Sequence, residues 1–528
     1  MTRTALVLLM LAAPGMAIAQ QPAPAFAAQA PIYPDIKPAR TCESLAKLEL
    51  ANTTIESAAV DKLAPEGPAA CRVTAIVTHP PAGDKVKVWV ALPIDRWNGR
   101  FQGMGGGGMS GGSDMSLRAP AAAGYVAGAT DTGHEGGSGS FALGPDNRHN
   151  WMLIRDNAYL GIHAMTVTAK ELIEAFYGKP PRYSYWNGCS TGGRQGLSEA
   201  QRYPADYDGI LAGAPAINFP KLHVAQLWGP MLMRAANHAV PMCRLNAATE
   251  AAIKACDAND GITDGVITDP TTCTYDPGAL VGTRPGATGA GTTGAADECG
   301  AFTEEDADII RRIWEGPRRS DGSQLWPGLP RGAAFALSAT GGTPPAPRPF
   351  GITLDWLRYF VTQNPSFDWT TITPAVYEQI WDQSYEQFNA VIGTDNPDLR
   401  AFRDRGGKIV MWHGWADQLI VAGGTIDYME RVQQASGGAA KTAEFARLFM
   451  APGVAHCGGG PGAAPTGQFD AVVRWVEQGT APETLQAVKR DQAGQVTMSR
   501  RLCSYPLVAR YKGQGDRTDA ESFECRIR

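Results

Sequence analysis

A chain of 528 residues is longer than one ordinary core can organise, so a large domain carrying a sizeable insertion, or two domains, is expected. At 44% hydrophobic and 19% charged residues with a formal net charge of −5, the composition is that of a soluble globular protein. It contains no run of like charge that would suit nucleic acid and no internal repeat.

The first segment differs from the rest. Arg3 precedes the apolar run "ALVLLMLAA", and Ala17-Ile18-Ala19 offers small residues for cleavage before Gln20. Residues 1–19 therefore read as a secretory signal peptide, because the apolar run is too short to span a bilayer. No later segment is apolar enough to do so, so no membrane partner is expected and the chain is expected to be secreted or periplasmic. The Pro/Ala-rich "QQPAPAFAAQAPIYP" that follows reads as a linker. An exported chain with ten cysteines, all beyond the leader and with no C-x-x-C pair, points to structural disulfides rather than to zinc or thioredoxin-like chemistry.

From Cys71, "RVTAIVTHPPAGDKVKVWVALP" alternates like a hairpin that turns at Pro-Ala-Gly-Asp. "WNGRFQGMGGGGMSGG" leaves a strand for a glycine-rich loop, and "GYVAGATDTG" suits a short buried strand. Apolar residues at helical spacing run from Asp156 to Tyr177 and stop at Gly178-Lys179-Pro180-Pro181. Then come the strand "RYSYWN", a turn at Ser190, the helix "GRQGLSEAQRYP" and the strand "DGILAGAPA". Strand, helix and strand in this order imply a parallel sheet with crossover helices.

Residues 217–395 break that rhythm. They hold amphipathic helices such as "TEEDADIIRRIWEG", opened by a capping box at Thr303 and Asp306, and the low-complexity loop "GTRPGATGAGTTGAA". The alternation resumes with "GGKIVMWHGWAD", "GTIDYMERVQQA", "ARLFMAPG" and "FDAVVRWVEQG". The expected architecture is thus a parallel α/β sheet in two parts, 20–216 and 396–528, with a large lid domain inserted at 217–395.

Ser190 is the expected nucleophile, the alternative being a tight turn with a small residue. A serine hydroxyl becomes a nucleophile only when a base takes its proton and a third group orients that base. Gly188, Ser190 and Gly192 fit the G-x-S-x-G turn that lifts a serine out of a sheet between strand and helix. In hydrolases of this kind the chain order is serine, acid, histidine. His456, in the loop "GVAHCGGG" after the strand "ARLFMAP", is the expected base, and Asp417 in "HGWADQLI" the expected acid, with Asp427 and Asp470 as weaker candidates. His413 is expected to shape its strand end, and His79, His134, His149, His163, His223 and His238 to be surface or packing residues.

Cys189 precedes the nucleophile and Cys457 follows the base, so a bond between them would tie the histidine loop to the serine turn; the alternative is two inert thiols. For the oxyanion, Gly108 of "GMGGGG" and Thr191 offer backbone N–H groups. The same glycines satisfy G-x-G-x-x-G, with Asp131 roughly 23 residues on, so a dinucleotide site is the rival reading of that loop. In "CDANDGITDGVI", Asp257, Asp260 and Asp264 alternate with glycine turns, a spacing that suits either calcium or a solvated turn.

Together "NGCSTGGRQGL", "HGWAD", "GVAHCGGGPG" and "CDANDGITDGVI" resemble the tannase and feruloyl esterase family, which includes mono(2-hydroxyethyl) terephthalate hydrolases, over nearly the whole mature chain. The resemblance implies an α/β-hydrolase with a lid, the triad Ser190, Asp417 and His456, and the Cys189–Cys457 bridge. It also implies structural calcium in the lid, held by the side chains of Asp257, Asp260 and Asp264 and the carbonyls of Ile262 and Val266. Further pairs implied are Cys42–Cys71, Cys256–Cys273 and Cys503–Cys525. Family members often carry two cysteines in the stretch corresponding to 280–300, whereas here only Cys299 is present, which leaves its pairing with Cys243 open. The stretch "GGTPPAPRPFGITLDWLRYF" does not reproduce the aromatic and arginine pattern of the terephthalate hydrolases, so the choice among aromatic ester substrates stays open too. Hydroxycinnamate esters come first, gallate esters second and terephthalate monoesters third. A secreted serine peptidase and a silent binding protein on a hydrolase scaffold are the rivals from other classes.

Overall fold

The structure, a computed structural model, describes residues 29–64, 67–285, 299–335 and 348–527. The expected leader at 1–19 and most of the low-complexity loop lie outside the described residues. Nine strands form one sheet: β1 (Thr53–Lys62), β2 (Ala69–Val77), β3 (Val86–Pro93), β4 (Arg100–Met104), β5 (Val126–Thr130), β6 (Tyr183–Cys189), β7 (Gly209–Gly213), β8 (Lys408–Gly414) and β9 (Ala446–Ala451). Their order is β1-β2-β3-β5-β4-β6-β7-β8-β9. The pairs β1/β2, β2/β3 and β3/β5 are antiparallel, and every neighbour pair from β5 through β9 is parallel.

That arrangement follows from the residues. The parallel strands β5 and β7 are buried along their whole length, as strands covered by helices on both faces must be. One face carries the helices Gly161–Tyr177, Thr191–Arg202 and Gly423–Ser436, with Phe101, Leu172, Trp186, Leu197 and Tyr428 in its core. The other carries Gln468–Gln478, packed through Phe469, Val472 and Trp475 against Tyr185, Val410 and Phe449. Glycines make close packing possible here: a Cβ on Gly196 would sit 2.4 Å from the Trp186 ring, and one on Gly209 would sit 2.6 Å from Val472.

Between β7 and β8 the chain makes a long helical excursion, with helices Phe219–Ala225, Trp228–Ala235, Met242–Cys256, Glu304–Glu315 and Pro374–Ile392. The capping box is present, Thr303 Oγ1 accepting from the Asp306 N–H while the Asp306 carboxylate accepts from the Thr303 N–H. A cap of this kind contributes about 1 kcal/mol. The excursion has an aromatic core of its own around Trp356, Phe360, Tyr377, Trp381 and Phe388, joined to Met109, Phe141 and Ile154 of the sheet's loops. Its Cys243–Cys299 bridge, with Cα atoms 6.2 Å apart, settles the pairing that the sequence left open. Cys42–Cys71, Cys256–Cys273 and Cys503–Cys525 are also bonded, so five disulfides are formed and none of the ten cysteines is free.

Several elements are additional to the sequence reading. β1 extends the sheet, β10 (Ala464–Thr466), β11 (Thr484–Arg490) and β12 (Val496–Cys503) form a small antiparallel sheet, and β13 (Leu507–Tyr511) pairs with β14 (Phe523–Ile527). The helical run ending at Tyr177 begins earlier than expected, at Trp151, and passes through a π-turn at Asp156–Leu160. Among the described residues no helix is long and apolar enough to cross a membrane.

Candidate active site

Ser190 stands at the carboxyl end of β6, where a substrate meets an open parallel sheet. Its backbone is in a region that side-chain-bearing residues rarely adopt, φ 64° and ψ −125°, so the residue is pushed up at the strand-to-helix turn. The flanking glycines are required by space. A Cβ on Gly188 would lie 2.4 Å from the Gly192 carbonyl carbon, and one on Gly192 would lie 3.1 Å from Gly105 Cα. The turn is held by the Ser190 N–H, which donates to Gly213 O at 2.9 Å.

The glycine loop after β4 is fastened to this turn. Gly105 N–H donates to Asn187 O (3.1 Å) and Gly106 N–H to Gln195 Oε1 (2.9 Å). In return Gly106 O accepts from Gly192 N–H (2.9 Å), and Gly108 O accepts from the Thr191 hydroxyl (2.6 Å). Gly108 has φ +61°, and Ile352 Cδ1 of the excursion lies 3.0 Å from where its Cβ would be, so the excursion comes close to the loop at this point. The next carbonyl, Met109 O, accepts from Asn157 Nδ2 (3.0 Å) and from His134 Nε2 (2.9 Å). These contacts dispose of the dinucleotide reading: the loop is spent on the serine turn, and Asp131 Oδ1 accepts from the N–H groups of Lys87 and Gly133 instead of facing a ribose.

Asp417 and His456 follow β8 and β9 at the same sheet edge. Asp417 is fully buried; Oδ1 accepts from the N–H groups of Leu419 and Ile420, both at 2.8 Å, and Oδ2 accepts from His456 Nδ1 at 2.8 Å. Burial alone would raise this carboxyl, but His456 and His413 beside it outweigh that and hold it well below the usual carboxylate range. The His456 N–H donates to Gln418 Oε1 (3.1 Å), which fixes the loop at its backbone as well. Cys457, the next residue, is bonded to Cys189 with Cα atoms 6.0 Å apart. Residues 189 and 457 are therefore neighbours despite 268 positions of intervening chain.

The weaker acid candidates are placed elsewhere. Asp427 is ion-paired with Arg431 on an exposed helix face, and Asp470 accepts from Gln29. His413 does more than shape a strand end: it is fully buried, its Nε2 donates to Ile420 O at 2.8 Å, and the same nitrogen lies 3.2 Å from Asp417 Oδ2. Its Nδ1 meets the Thr425 hydroxyl at 2.9 Å. Of the remaining histidines, His149 bonds Phe360 O, His238 pairs with Asp306, and His223 is buried, which pulls it down to about 4. Arg194 is a further unforeseen support. Fully buried on the Ser190 helix, it donates to Ala158 O (2.9 Å) and Asn157 O (3.0 Å) of the π-turn, and burial pulls it down to about 9.

Two groups among the described residues could hold a metal ion, His79–Asp84–Asp156 and His163–Glu199–Asp206. In the excursion, Asp257 and Asp260 are buried and turn about Gly261 and Gly265, both at positive φ. Asp257 accepts from the N–H groups of Asp264, Gly265 and Val266, Asp260 from Ile262 N–H and the Thr268 hydroxyl, and Asp264 Oδ2 from Arg500 at 2.5 Å. Burial raises the Asp264 carboxyl, and its neighbours Asp260 and Asp257 add to this while Arg500 opposes it. These three carboxylates offer the oxygen donors a hard cation takes, but Asp257 Oδ1 already accepts two N–H groups, Asp264 is paired with Arg500, and the three are not among the groups of the described residues whose ligand atoms lie within 4.8 Å of one another.

The doubly flanked parallel sheet, with a strained serine turn at its edge and a histidine–carboxylate pair on adjoining loops, defines an ester hydrolase built on the α/β-hydrolase plan. A family model described as tannase and feruloyl esterase matches residues 71–526, and the chain belongs to that family of serine carboxylic ester hydrolases. It is 41% identical over 466 residues to a probable feruloyl esterase of Arthroderma benhamiae, covering 86% of this chain and 85% of the relative. To the mono(2-hydroxyethyl) terephthalate hydrolase of Piscinibacter sakaiensis it is 31% identical over 514 residues, covering 84% and 81%. Among solved structures, feruloyl esterase B from Aspergillus oryzae superposes with TM-score 0.79 at 29% identity, covering 92% of this chain and 99% of that one. The tannin acyl hydrolase from Aspergillus niger shares the fold at TM-score 0.81 and 24% identity, covering 91% and 92%.

Proposed function

We propose that the protein is an exported esterase that hydrolyses esters of hydroxycinnamic or related phenolic acids through an acyl-enzyme on Ser190. His456 takes the serine proton through Nε2, the ring nitrogen that Asp417 leaves unengaged, and returns it to the departing alcohol. Asp417 holds the imidazole in that tautomer and stabilises its charged form. The N–H groups of Gly108 and Thr191 receive the tetrahedral oxyanion; Thr191 opens a helix, where N–H groups lack intrahelical partners. Water then attacks the acyl carbon with His456 again as base, releasing the aromatic acid.

The observation that carries this reading is the 2.8 Å contact between His456 Nδ1 and fully buried Asp417, on a loop covalently bonded to the residue before Ser190. Hydroxycinnamate esters lead because relatives named as feruloyl esterases align over most of both chains. Gallate esters and terephthalate monoesters follow. The excursion at 217–395 serves as a lid, supported by the closeness of Ile352 to Gly108. In it Asp257, Asp260 and Asp264, with the carbonyls of Ile262 and Val266, would hold a calcium ion that stiffens the lid and takes no part in bond breaking. Five disulfides support export. Turnover of methyl ferulate, methyl gallate, mono(2-hydroxyethyl) terephthalate and a peptide amide side by side tests the reading. The ferulate should lead, and preference for the amide would overturn it.

A further inference from the structure

The hairpin turn between β2 and β3 carries His79 and Asp84, and it packs against Asp156, the first residue of the π-turn. His79 Nδ1 lies 2.6 Å from Asp84 Oδ2 and 3.6 Å from Asp156 Oδ1. One imidazole nitrogen and two carboxylate oxygens thus fall within 4.8 Å of one another. Asp156 has no solvent exposure, yet neither of its carboxylate oxygens has a hydrogen-bond partner among the described residues. Among the described residues no lysine or arginine pairs with Asp84 or Asp156, and His79 is the only ion-pair partner of either. A carboxylate stripped of water and left without a donor is costly, and either a proton or a metal cation relieves that cost.

We propose that His79, Asp84 and Asp156 form a binding site for a divalent transition-metal ion of the zinc type, separate from both the Ser190 site and the acidic turn of the excursion. The donor set selects the metal class, since an imidazole nitrogen with two carboxylates suits zinc or its neighbours, whereas calcium prefers oxygen alone. His79 stands at the mouth with its side chain 29% exposed, giving the ion an entry and water a place in its coordination sphere. The ion takes the place of the hydrogen bond between His79 Nδ1 and Asp84 Oδ2. The comparable group at His163, Glu199 and Asp206 is the weaker candidate because Lys170 already supplies positive charge, its Nζ donating to Asp206 O at 2.6 Å. A metal at His79 would brace the turn whose next residue, Asn157, holds Met109 O beside Gly108. Its main effect is therefore on stability.

The test is titration of zinc chloride into the full mature protein kept saturated with calcium, followed by calorimetry and by visible absorption on cobalt substitution. A single saturable equivalent is expected that excess calcium does not displace. Asp156→Asn and His79→Gln should each weaken it by roughly tenfold or more. Asp156→Asn keeps the shape and removes a buried unpaired charge, and His79→Gln lies at a part-exposed turn, so at least one should fold; His79→Gln should also leave metal-free ester turnover unchanged. No saturable zinc binding, or zinc binding that survives both substitutions and is lost in His163→Asn, would overturn the proposal.

Discussion

Replacing Cys189 and Cys457 together by alanine separates the two consequences of one bond. The bond closes a loop of 268 residues, and the Cys243–Cys299 bridge, which encloses Cys256–Cys273, removes 56 of these, leaving roughly 212. Chain entropy for such a loop amounts to about 5 kcal/mol, and typical disulfides return about 2–4. With an unfolding entropy of about 2 cal/mol/K per residue, that is a fall of roughly 2–5 °C in melting temperature. The catalytic consequence is separate. His456 sits one residue from the bond and Ser190 one residue from its other end, so release frees the histidine loop to drift, and a misplacement of about 1 Å costs about 100-fold in rate. Steady-state hydrolysis of methyl ferulate well below the melting temperature, with circular dichroism to confirm folding, reads both effects. The expected result is a fall in kcat of that order with KM little changed. A lowered melting temperature with kcat within about twofold of the parent would refute the positioning role of the bridge.

Asp417→Asn should keep the fold but reduce kcat by roughly 10³–10⁴-fold, because an amide presents the wrong partner to His456 Nδ1; a mainly raised KM in steady-state kinetics would count against the acid role. The same residue sets an acid limb of stability. Its folded carboxyl lies below the unfolded value near about 4, so its contribution is complete above that pH and is lost as pH falls below it; urea melts from about pH 6 downward should show the decline, and Asp417→Asn should flatten it. Adding a calcium chelator should lower the melting temperature by a few degrees, since saturation at about 100 times the dissociation constant adds about 2.7 kcal/mol; an unchanged melting curve would remove the calcium assignment.

What was legible in the sequence was local. The serine turn could be read because Gly188 and Gly192 have no room for a Cβ, a constraint written in two letters. The parallel strands could be read because full burial makes them continuous apolar runs, as in β7. β1 could not: it is an exposed edge strand with a bulge between Ile55 and Ser57 that breaks its alternation. The short strands β10 to β14 carry equally little apolar signal, being mostly half-exposed. Supports of the site that depend on distant contact were also hidden. Gln195 reaches Gly106 across 89 positions and Asn157 reaches Met109 across 48, and neither residue type announces such a role. His413 was visible four residues before Asp417, but its approach to Oδ2 depends on the chain folding back after β8. For His79 the neighbouring Asp84 was in plain view, while the decisive partner, Asp156, comes from another element.

The most direct test of the whole account is intact-protein and peptide mass spectrometry after brief reaction with an aryl fluorophosphonate. One adduct per chain is predicted, on the peptide containing Ser190, absent in Ser190→Ala and greatly slowed in His456→Ala, with ester hydrolysis lost in step. An adduct on another residue, or full hydrolysis by Ser190→Ala, would contradict it.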